Sequence, residues 1–280
     1  MTLTTNRLPS ESSTAGRSAE IRRSTLVVAR TQFAVPSMFA QLWKKTRKLL
    51  KLLAHRDYRA ALRAGRVAAA IEHERILMTL DCVTVVDIGA NRGQFALVSR
   101  HCFPHARIIS FEPLAAPMAR FRAVLGHDPL VTLIPVAIGD TAGEATIHIT
   151  AEDDSSSLLP MTALQTSLYA DSREVGTETV RVQRLEDCLQ PVDIRPPAML
   201  KLDVQGYELT TLRGCEPLLK LFSYVYVECS FMELYQGQAL ADDVIAYLRE
   251  QAFQLQGVYN IRYTPQGRAI QAELLFAPRN

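Results

Sequence analysis

The chain of 280 residues is poor in cysteine, with five residues and no C-x-x-C pair among them. This spacing argues against the disulfide framework of a small secreted domain and against a structural zinc site. No apolar run approaches the roughly 20 residues that a membrane-spanning helix needs. The first 30 residues also lack the apolar core of a secretory signal. We therefore expect a protein of the reducing cytosol without a membrane span.

The composition is that of a globular protein, with 48% hydrophobic and 21% charged residues, which excludes a disordered chain. The net charge of +2 hides an asymmetry, since residues 1–80 contain 15 Lys and Arg against 5 Asp and Glu. Residues 81–280 contain 16 Lys and Arg against 24 Asp and Glu. The basic part is a candidate contact for an anionic surface, for which we expect a membrane rather than a nucleic acid.

Three parts follow from these patterns. Residues 1–40 are rich in Ser, Thr and Arg and predict a disordered tail. Residues 41–80 predict a basic helical extension, in which leucines alternate with lysines over residues 41–57. Such a helix lies on the inner face of a membrane in some proteins, and a solvated helix face is the alternative.

Residues 81–280 alternate short apolar runs with helical periods, which predicts an α/β domain with a mostly parallel sheet. The last two apolar runs flank a Pro–Gly turn and predict a C-terminal antiparallel hairpin. An insert, residues 143–195, contains an acidic, Ser-rich loop that is either a lid over a bound substrate or a solvated loop. The predicted strands of the sheet are Val83–Ile88, Arg107–Glu112, Leu130–Ile138, Met199–Asp203 and Tyr224–Cys229.

The most informative segment is the apolar strand that runs into the turn Asp87-Ile88-Gly89-Ala90-Asn91-Arg92-Gly93. Ligands of open α/β sheets bind beyond the carboxyl ends of the strands, where glycine lets them approach the backbone. Asp87 would repel a dinucleotide pyrophosphate but would favour the ammonium and sulfonium groups of S-adenosylmethionine. Glu112 ends the next strand, where an acidic side chain can accept hydrogen bonds from both ribose hydroxyls.

With these residues in hand, the chain resembles the FkbM-type methyltransferases, a group of S-adenosylmethionine-dependent enzymes, over about residues 58–277. The resemblance lies in four segments: Val86 to Gly93, Phe111-Glu112-Pro113, Ala137-Ile138-Gly139-Asp140 and Leu200-Lys201-Leu202-Asp203-Val204-Gln205-Gly206-Tyr207-Glu208. It implies a Rossmann-like class I methyltransferase fold. It also implies a donor site formed by Asp87, Gly89, Asn91, Gly93, Glu112, Pro113, Ala137 and Asp140. Asp140 is equally well suited to the turn in which it stands.

Methyl transfer to oxygen needs an aligned acceptor and removal of the hydroxyl proton. Asp203, at the end of its strand, is the first candidate for this base. Lys201 lies on the same face of that strand and could instead pair with Asp203, which would make Asp203 an orienting group. Glu208 is either catalytic or stabilises the positive end of the following helix. We expect no metal, although Asp203 and Glu228 could share a divalent cation.

We therefore expect an S-adenosylmethionine-dependent O-methyltransferase acting on a hydroxyl, most readily of a glycosyl residue in a glycolipid or polysaccharide. Alternative acceptors are polyketide-type secondary metabolites and other small molecules. Two further classes stay open at this point: a nicotinamide-dependent oxidoreductase, which Asp87 and the missing third glycine disfavour, and a non-catalytic membrane-associated scaffold.

Overall fold

The computed structural model describes residues 38–151, 153–169 and 172–279, all within one unit that spans residues 34–280. The predicted tail falls largely outside the described residues, and the first described helix begins at Met38. The α-helices of the described residues are α1 Met38–Ala54, α2 Arg56–Gly65, α3 Glu74–Leu77, α4 Gln94–Cys102, α5 Ala115–Leu125, α6 Ala163–Leu168, α7 Leu185–Cys188, α8 Glu208–Leu219 and α9 Ala241–Glu250.

Ten strands form two sheets among the described residues. The strands are β1 Thr84–Ile88, β2 Arg107–Phe111, β3 Val131–Ile134, β4 Ala137–Ile138, β5 Gly143–Thr150, β6 Glu174–Gln183, β7 Ala198–Leu202, β8 Tyr224–Ser230, β9 Phe253–Tyr263 and β10 Ala269–Pro278. The larger sheet has the order β3-β2-β1-β7-β8-β10-β9, in which β10 pairs antiparallel with β8 and with β9. The other neighbouring strands are parallel.

This architecture confirms the predicted α/β fold with a mostly parallel sheet, a C-terminal antiparallel hairpin and an N-terminal helical extension. The predicted strand Leu130–Ile138 is divided in two, because Pro135 has no N–H with which to continue a ladder. After this break the chain enters the smaller sheet, of order β4-β6-β5, in which β5 and β6 come from the insert.

The N-terminal extension is less helical than the sequence predicts. Residues 58–80 are expected to form one helical stretch, but α2 ends at Gly65 and Arg66 adopts a left-handed conformation with φ 54°. Residues 66–73 then run along the domain, where the N–H of Ala70 donates to the carbonyl of Gln94 at 3.0 Å. Within the described residues, no helix has the length and apolar character needed to cross a bilayer.

Alternation along the strands divides the core between the two faces of the larger sheet. Val86 and Leu200 face the side covered by α8 and α9, whereas Val85 and Met199 face the side covered by α4 and α5. The second side also buries Leu52, Tyr58 and Ala61 of the extension, each no more than 4% exposed. Helices α1 and α2 are therefore part of the domain core.

Candidate active site

A cavity of about 490 Å³ opens at the carboxyl ends of β1, β2, β7 and β8. This volume lies within the range of small-molecule sites. Its walls come from the turn after β1, the segment after β2, the Ser-rich loop, the segment after β7, and both strands of the C-terminal hairpin. The extension closes one side through residues 66–73.

The turn after β1 can be formed only with glycine at its first position. Gly89 has φ +78°, and a Cβ on it would clash with the backbone carbonyl of Asp203. Asn91 follows with φ 48°, and Gly93, with φ 91°, precedes the first turn of α4 without lining the cavity. The turn thus brings Gly89 and Asn91 to the cavity wall.

The backbone N–H groups of this turn have acceptors within the protein. Gly89 and Ala90 donate to the carbonyl of Phe111 at 3.1 and 2.9 Å, and Gly93 donates to the carbonyl of Ala90 at 2.8 Å. The remaining two donate to side chains, since Asn91 N–H reaches Glu112 and Arg92 N–H reaches Gln94. These N–H groups therefore stabilise the turn, and we do not assign them to the carboxylate of a donor molecule.

Asp87 lies behind the cavity wall rather than on it. Its side chain is fully buried, and β1 and β7 pair in register at Asp87 and Lys201. The Lys201 Nζ lies 3.1 Å from Asp87 Oδ1 and donates to the carbonyl of Gly89 at 3.3 Å. A buried carboxylate needs such a cation. The structure therefore brings Asp87 to Lys201, and Lys201, not Asp87, lines the cavity.

Lys201 is surrounded by acidic groups. Burial alone lowers its pKa, but the carboxylates of Asp87, Asp203 and Glu273 together outweigh burial and hold the pKa above its ordinary value. The side chain is 4% exposed and its ammonium lies 5.3 Å from the centre of the Phe95 ring. Lys201 is therefore a fixed positive charge at the floor of the cavity.

Glu112 lies at the end of β2 and lines the cavity, as predicted from the sequence. Its Oε2 accepts from the N–H of Asn91 and its Oε1 from the N–H of Leu114, both at 2.9 Å. Each carboxylate oxygen has a further lone pair, so both can still accept a hydroxyl. Burial raises the pKa of Glu112 to about 7, although the two N–H donors favour the ionised form.

Of the three other residues predicted to bind the methyl donor, two line the cavity and one lies on the surface. Pro113 and Ala137 line the cavity beside Glu112. Asp140 is exposed in the bend after Gly139 and does not belong to the lining. Asp140 does act electrostatically on a lining residue, Tyr207. The pKa of Tyr207 is raised first by burial and then by the Asp140 carboxylate.

Asp203 and Glu228 line the cavity at the carboxyl ends of β7 and β8 and are connected by Gln205. The Gln205 Nε2 donates to Asp203 Oδ1 at 2.7 Å and to Glu228 Oε2 at 3.1 Å. The second oxygen of Asp203 lies 3.8 Å from Lys201 Nζ. Both oxygens of Asp203 therefore have polar neighbours, which suits an orienting group more than a free base.

Glu208 does not reach the cavity. Its Oε1 accepts from the N–H of Val204 at 3.2 Å and from the N–H of Gly206 at 3.1 Å, across the loop between β7 and α8. The side chain is buried, and burial raises its pKa to about 7. These contacts favour a structural role for Glu208 over a catalytic one.

The Ser-rich loop forms a wall of the cavity through Asp154, Ser155, Ser156, Ser157 and Leu158. The hydroxyl of Ser157 donates to the carbonyl of Gln205 at 2.6 Å. The loop is thereby connected to the segment that follows β7, and this position matches the lid alternative.

Among the described residues, no group of three or more His, Cys, Asp and Glu side chains is arranged to hold a metal ion.

Sequence reasoning missed two groups of lining residues. His73 and Glu72 come from the extension, where no motif marks them. The Nδ1 of His73 lies 3.0 Å from the Tyr226 hydroxyl, and burial lowers the pKa of His73 to about 4, so its ring is neutral at pH 7. Gln271 and Glu273 come from β10, where two polar side chains alternate within an apolar strand; that pattern was the available signal.

Comparison with known proteins identifies the domain. The Methyltransferase FkbM domain matches residues 87–255. The chain belongs to this family. The domain is therefore an S-adenosylmethionine-dependent methyltransferase domain with the class I fold, as the sequence resemblance predicted. The match includes Glu112, Asp203 and Glu228, and it ends before β10.

The chain is also similar to individual methyltransferases. The 2-O-methyltransferase NoeI of Sinorhizobium fredii is 30% identical over 160 residues, covering 55% of this chain and 66% of NoeI. The hexuronic acid methyltransferase AglP of Haloferax volcanii is 25% identical over 142 residues, covering 51% of this chain and 54% of AglP. The chain thus spans between about half and two thirds of the length of these relatives.

A solved structure gives a weaker likeness. The precorrin-6y C5,15-methyltransferase of Geobacter metallireducens has a TM-score of 0.42 and 13% identity, covering 76% of this chain and 94% of that chain.

The residues of the cavity fit S-adenosylmethionine. Glu112 offers a carboxylate with remaining acceptor capacity for ribose hydroxyls. Asp203 and Glu228 are acidic groups at the carboxyl ends of β7 and β8, and their charge favours a nearby cation such as a sulfonium. Arg66 lines the cavity and is a guanidinium suited to a carboxylate. It replaces the turn N–H groups as the candidate partner for the donor's carboxylate.

Proposed function

We propose that this FkbM-family protein is an O-methyltransferase that methylates a hydroxyl of a glycosyl residue in a glycolipid or polysaccharide. The observation that carries this proposal is the group of two carboxylates and one amide formed by Asp203, Glu228 and Gln205 at the carboxyl ends of β7 and β8, which we assign as the acceptor end of the cavity. Carboxylates accept hydrogen bonds from hydroxyls and amides both accept and donate them, and a sugar presents several hydroxyls. AglP is named as a hexuronic acid methyltransferase and NoeI as a 2-O-methyltransferase, and these two activities support an O-methyltransferase with a sugar acceptor.

The donor, when bound, supplies an activated methyl group and leaves as S-adenosylhomocysteine. The protein's part is to hold the ribose through Glu112, to keep Lys201 and Asp203 fixed, and to orient the acceptor hydroxyl. Asp203 accepts from Gln205 and faces Lys201, so we assign it to orientation. We assign Asp87 and Glu208 to positioning, since neither lines the cavity.

The experiment is incubation of the purified protein with donor carrying a deuterated methyl group and a cell-envelope lipid and polysaccharide extract. Mass spectrometry of the products and of their released sugars identifies the labelled acceptor. A labelled glycosyl residue supports the proposal. Label found only on a polyketide-type or other non-sugar metabolite contradicts it and favours the alternative acceptor class.

We further propose that α1 contacts an anionic membrane surface. Leu49, Leu50 and Leu53 are 50%, 63% and 46% exposed on this basic helix. An exposed apolar stripe flanked by cations is suited to an anionic bilayer. Sedimentation with phosphatidylglycerol vesicles tests this, with phosphatidylcholine vesicles as the control. Binding that replacing the three leucines by serine does not weaken would contradict it.

A further inference from the structure

The C-terminal hairpin brings a third carboxylate to the acceptor end. Strand β10 lies between β8 and β9, and Glu273 pairs in register with Glu228. Leu202 pairs with Val227 one residue earlier, so Asp203 follows opposite Glu228. Asp203, Glu228 and Glu273 therefore form a row across three neighbouring strands, on the face that bears Lys201. All three line the cavity.

The three carboxylates differ in their partners. Asp203 accepts from Gln205, and its second oxygen faces Lys201. Glu228 Oε2 accepts from Gln205 at 3.1 Å and from Gln271 at 3.2 Å, while its Oε1 lies 3.7 Å from an Arg262 nitrogen. Glu273 Oε2 is buried and has no hydrogen-bond partner among residues 38–151, 153–169 and 172–279.

An unpartnered carboxylate oxygen in a buried place carries a desolvation cost that a bound donor group removes. Glu273 is 5% exposed and lines the cavity, so a group that enters the cavity can reach its carboxylate. A hydroxyl is the simplest such group, because it offers one proton to an acceptor. The same hydroxyl then holds its oxygen beside the carboxylate row.

The electrostatic surroundings agree with this role. Burial and then the Asp203 carboxylate raise the pKa of Glu273 to about 8, against the lowering effect of Lys201 and Arg262. Glu72 on the extension also raises the pKa of Glu273. Glu228 on β8 faces Glu273 as well, and the Glu273 carboxylate contributes to the raised pKa of Glu228. A base works best when its pKa is near the working pH.

We propose that Glu273 is the proton acceptor of the methyl transfer and that its carboxylate contacts the acceptor hydroxyl directly. This inference rests on the proposed function. The hydroxyl oxygen forms a bond to the methyl carbon while the carbon–sulfur bond breaks and its electron pair stays on sulfur. The hydroxyl proton moves to the Glu273 carboxylate and is later released to water. Asp203 and Glu228 keep the acceptor in place during this step.

The test uses the full chain, donor with a deuterated methyl group and a panel of p-nitrophenyl hexosides as acceptors. Kinetic constants are measured from pH 6 to pH 10 for wild type, Glu273→Gln and Glu273→Asp. Glu250→Gln is the matched control, since Glu250 is an exposed carboxylate at the end of α9 outside the cavity lining. Calorimetry with S-adenosylhomocysteine reports the donor site, and thermal unfolding reports the fold.

We expect Glu273→Gln to lower kcat/KM by about 100-fold or more, as loss of a general base does, with S-adenosylhomocysteine affinity within twofold of wild type. The wild-type kcat/KM rises with pH through a midpoint at or below about 8, because the donor's positive charge favours the ionised carboxylate. Glu273→Gln loses this rise, and Glu273→Asp keeps part of it. Glu250→Gln behaves as wild type.

Two results would overturn the inference while leaving the proposed function intact. One is a Glu273→Gln enzyme whose kcat/KM stays within threefold of wild type on a hexoside that wild type methylates. The other is a parallel loss of S-adenosylhomocysteine affinity, which would place Glu273 on the donor side. If Glu273→Gln fails to fold, an unchanged kcat/KM in Glu273→Asp overturns the inference and a tenfold fall at unchanged donor affinity supports it. A wild type that binds S-adenosylhomocysteine but labels no hexoside contradicts the glycosyl acceptor itself, and the inference falls with it.

Discussion

Replacing Lys201 by methionine tests the buried ion pair beneath the glycine turn. Met has a similar length and no charge, so Lys201→Met leaves the fully buried Asp87 without the ammonium that lies 3.1 Å away. Removing one partner of a buried pair costs about 3–5 kcal/mol. We expect a loss in the upper part of this range, because Asp87 has no other cation within ion-pair distance among the described residues.

Removing the carboxylate instead of the ammonium is expected to cost less unfolding free energy. In Asp87→Ala, Lys201 keeps Asp203 at 3.8 Å and the carbonyl of Gly89 at 3.3 Å, so we expect a loss of about 3 kcal/mol. The double variant Asp87→Asn/Lys201→Met, which removes both charges, recovers much of the stability. This pattern differs from the expectation for a donor ligand, for which Asp87→Ala would weaken donor binding and leave the fold unchanged.

Urea unfolding followed by circular dichroism measures all three variants. The control is Arg107→Gln, which breaks the ion pair between Arg107 and Asp193 at a similar length of 2.8 Å but with side chains 45% and 25% exposed. An exposed pair contributes about 0–1 kcal/mol. A Lys201→Met variant that loses no more than this control, or a double variant no more stable than Lys201→Met, would refute the assignment of a buried ion pair.

Three further predictions concern the acidic residues. Glu112→Ala lowers S-adenosylhomocysteine affinity by at least about tenfold, measured by calorimetry, and costs about 1–3 kcal/mol in urea unfolding because the N–H groups of Asn91 and Leu114 lose their acceptor; unchanged donor affinity would remove Glu112 from the donor site. Asp203→Asn lowers kcat more than it changes S-adenosylhomocysteine affinity, and equal effects on both would assign Asp203 to structure alone. The pKa of Glu208 is about 7 in the folded protein and about 4.5 in the unfolded chain, so Glu208 makes the free energy of unfolding fall as pH rises between these values. Glu208→Gln is expected to flatten the dependence of the unfolding free energy on pH, measured from pH 4 to 8. An unchanged dependence would contradict the raised pKa.

The donor side of the site was readable from the sequence because it depends on local signals. The strand, the turn with Gly89 and Gly93, and the acid at the end of β2 lie within 29 residues, from Thr84 to Glu112. Each signal comes from the neighbouring residues: apolar runs form strands, and glycine permits the left-handed turn. These signals predicted where Gly89, Asn91 and Glu112 line the cavity.

The role of Asp87 was not readable in this way. Its partner Lys201 is 114 residues away in the chain, and the two meet only because β7 inserts beside β1 in register. Strand order is a property of the whole sheet. A strand-end carboxylate next to a glycine turn therefore looks like a ligand until the neighbouring strand is known.

Glu273 illustrates the same limit at the acceptor side. Chain order would bring β9 beside β8, but β10 takes that place, and its antiparallel direction brings the start of the strand to the carboxyl ends of β7 and β8. Gln271 and Glu273 then meet Glu228, which was noted as a strand-end acid but without its partners. The alternating polar residues of β10 were visible in the sequence; their neighbours were not.

The cavity thus combines residues of the region matched by the family with residues from outside that region. The region matched by the family, residues 87–255, supplies the turn, Glu112 and Asp203. The extension and β10 lie outside that region and supply His73 and Glu273. Donor chemistry is shared by methyltransferases, whereas acceptor choice needs contacts of a single protein. Segments outside the shared domain are therefore where we expect the residues that select the acceptor.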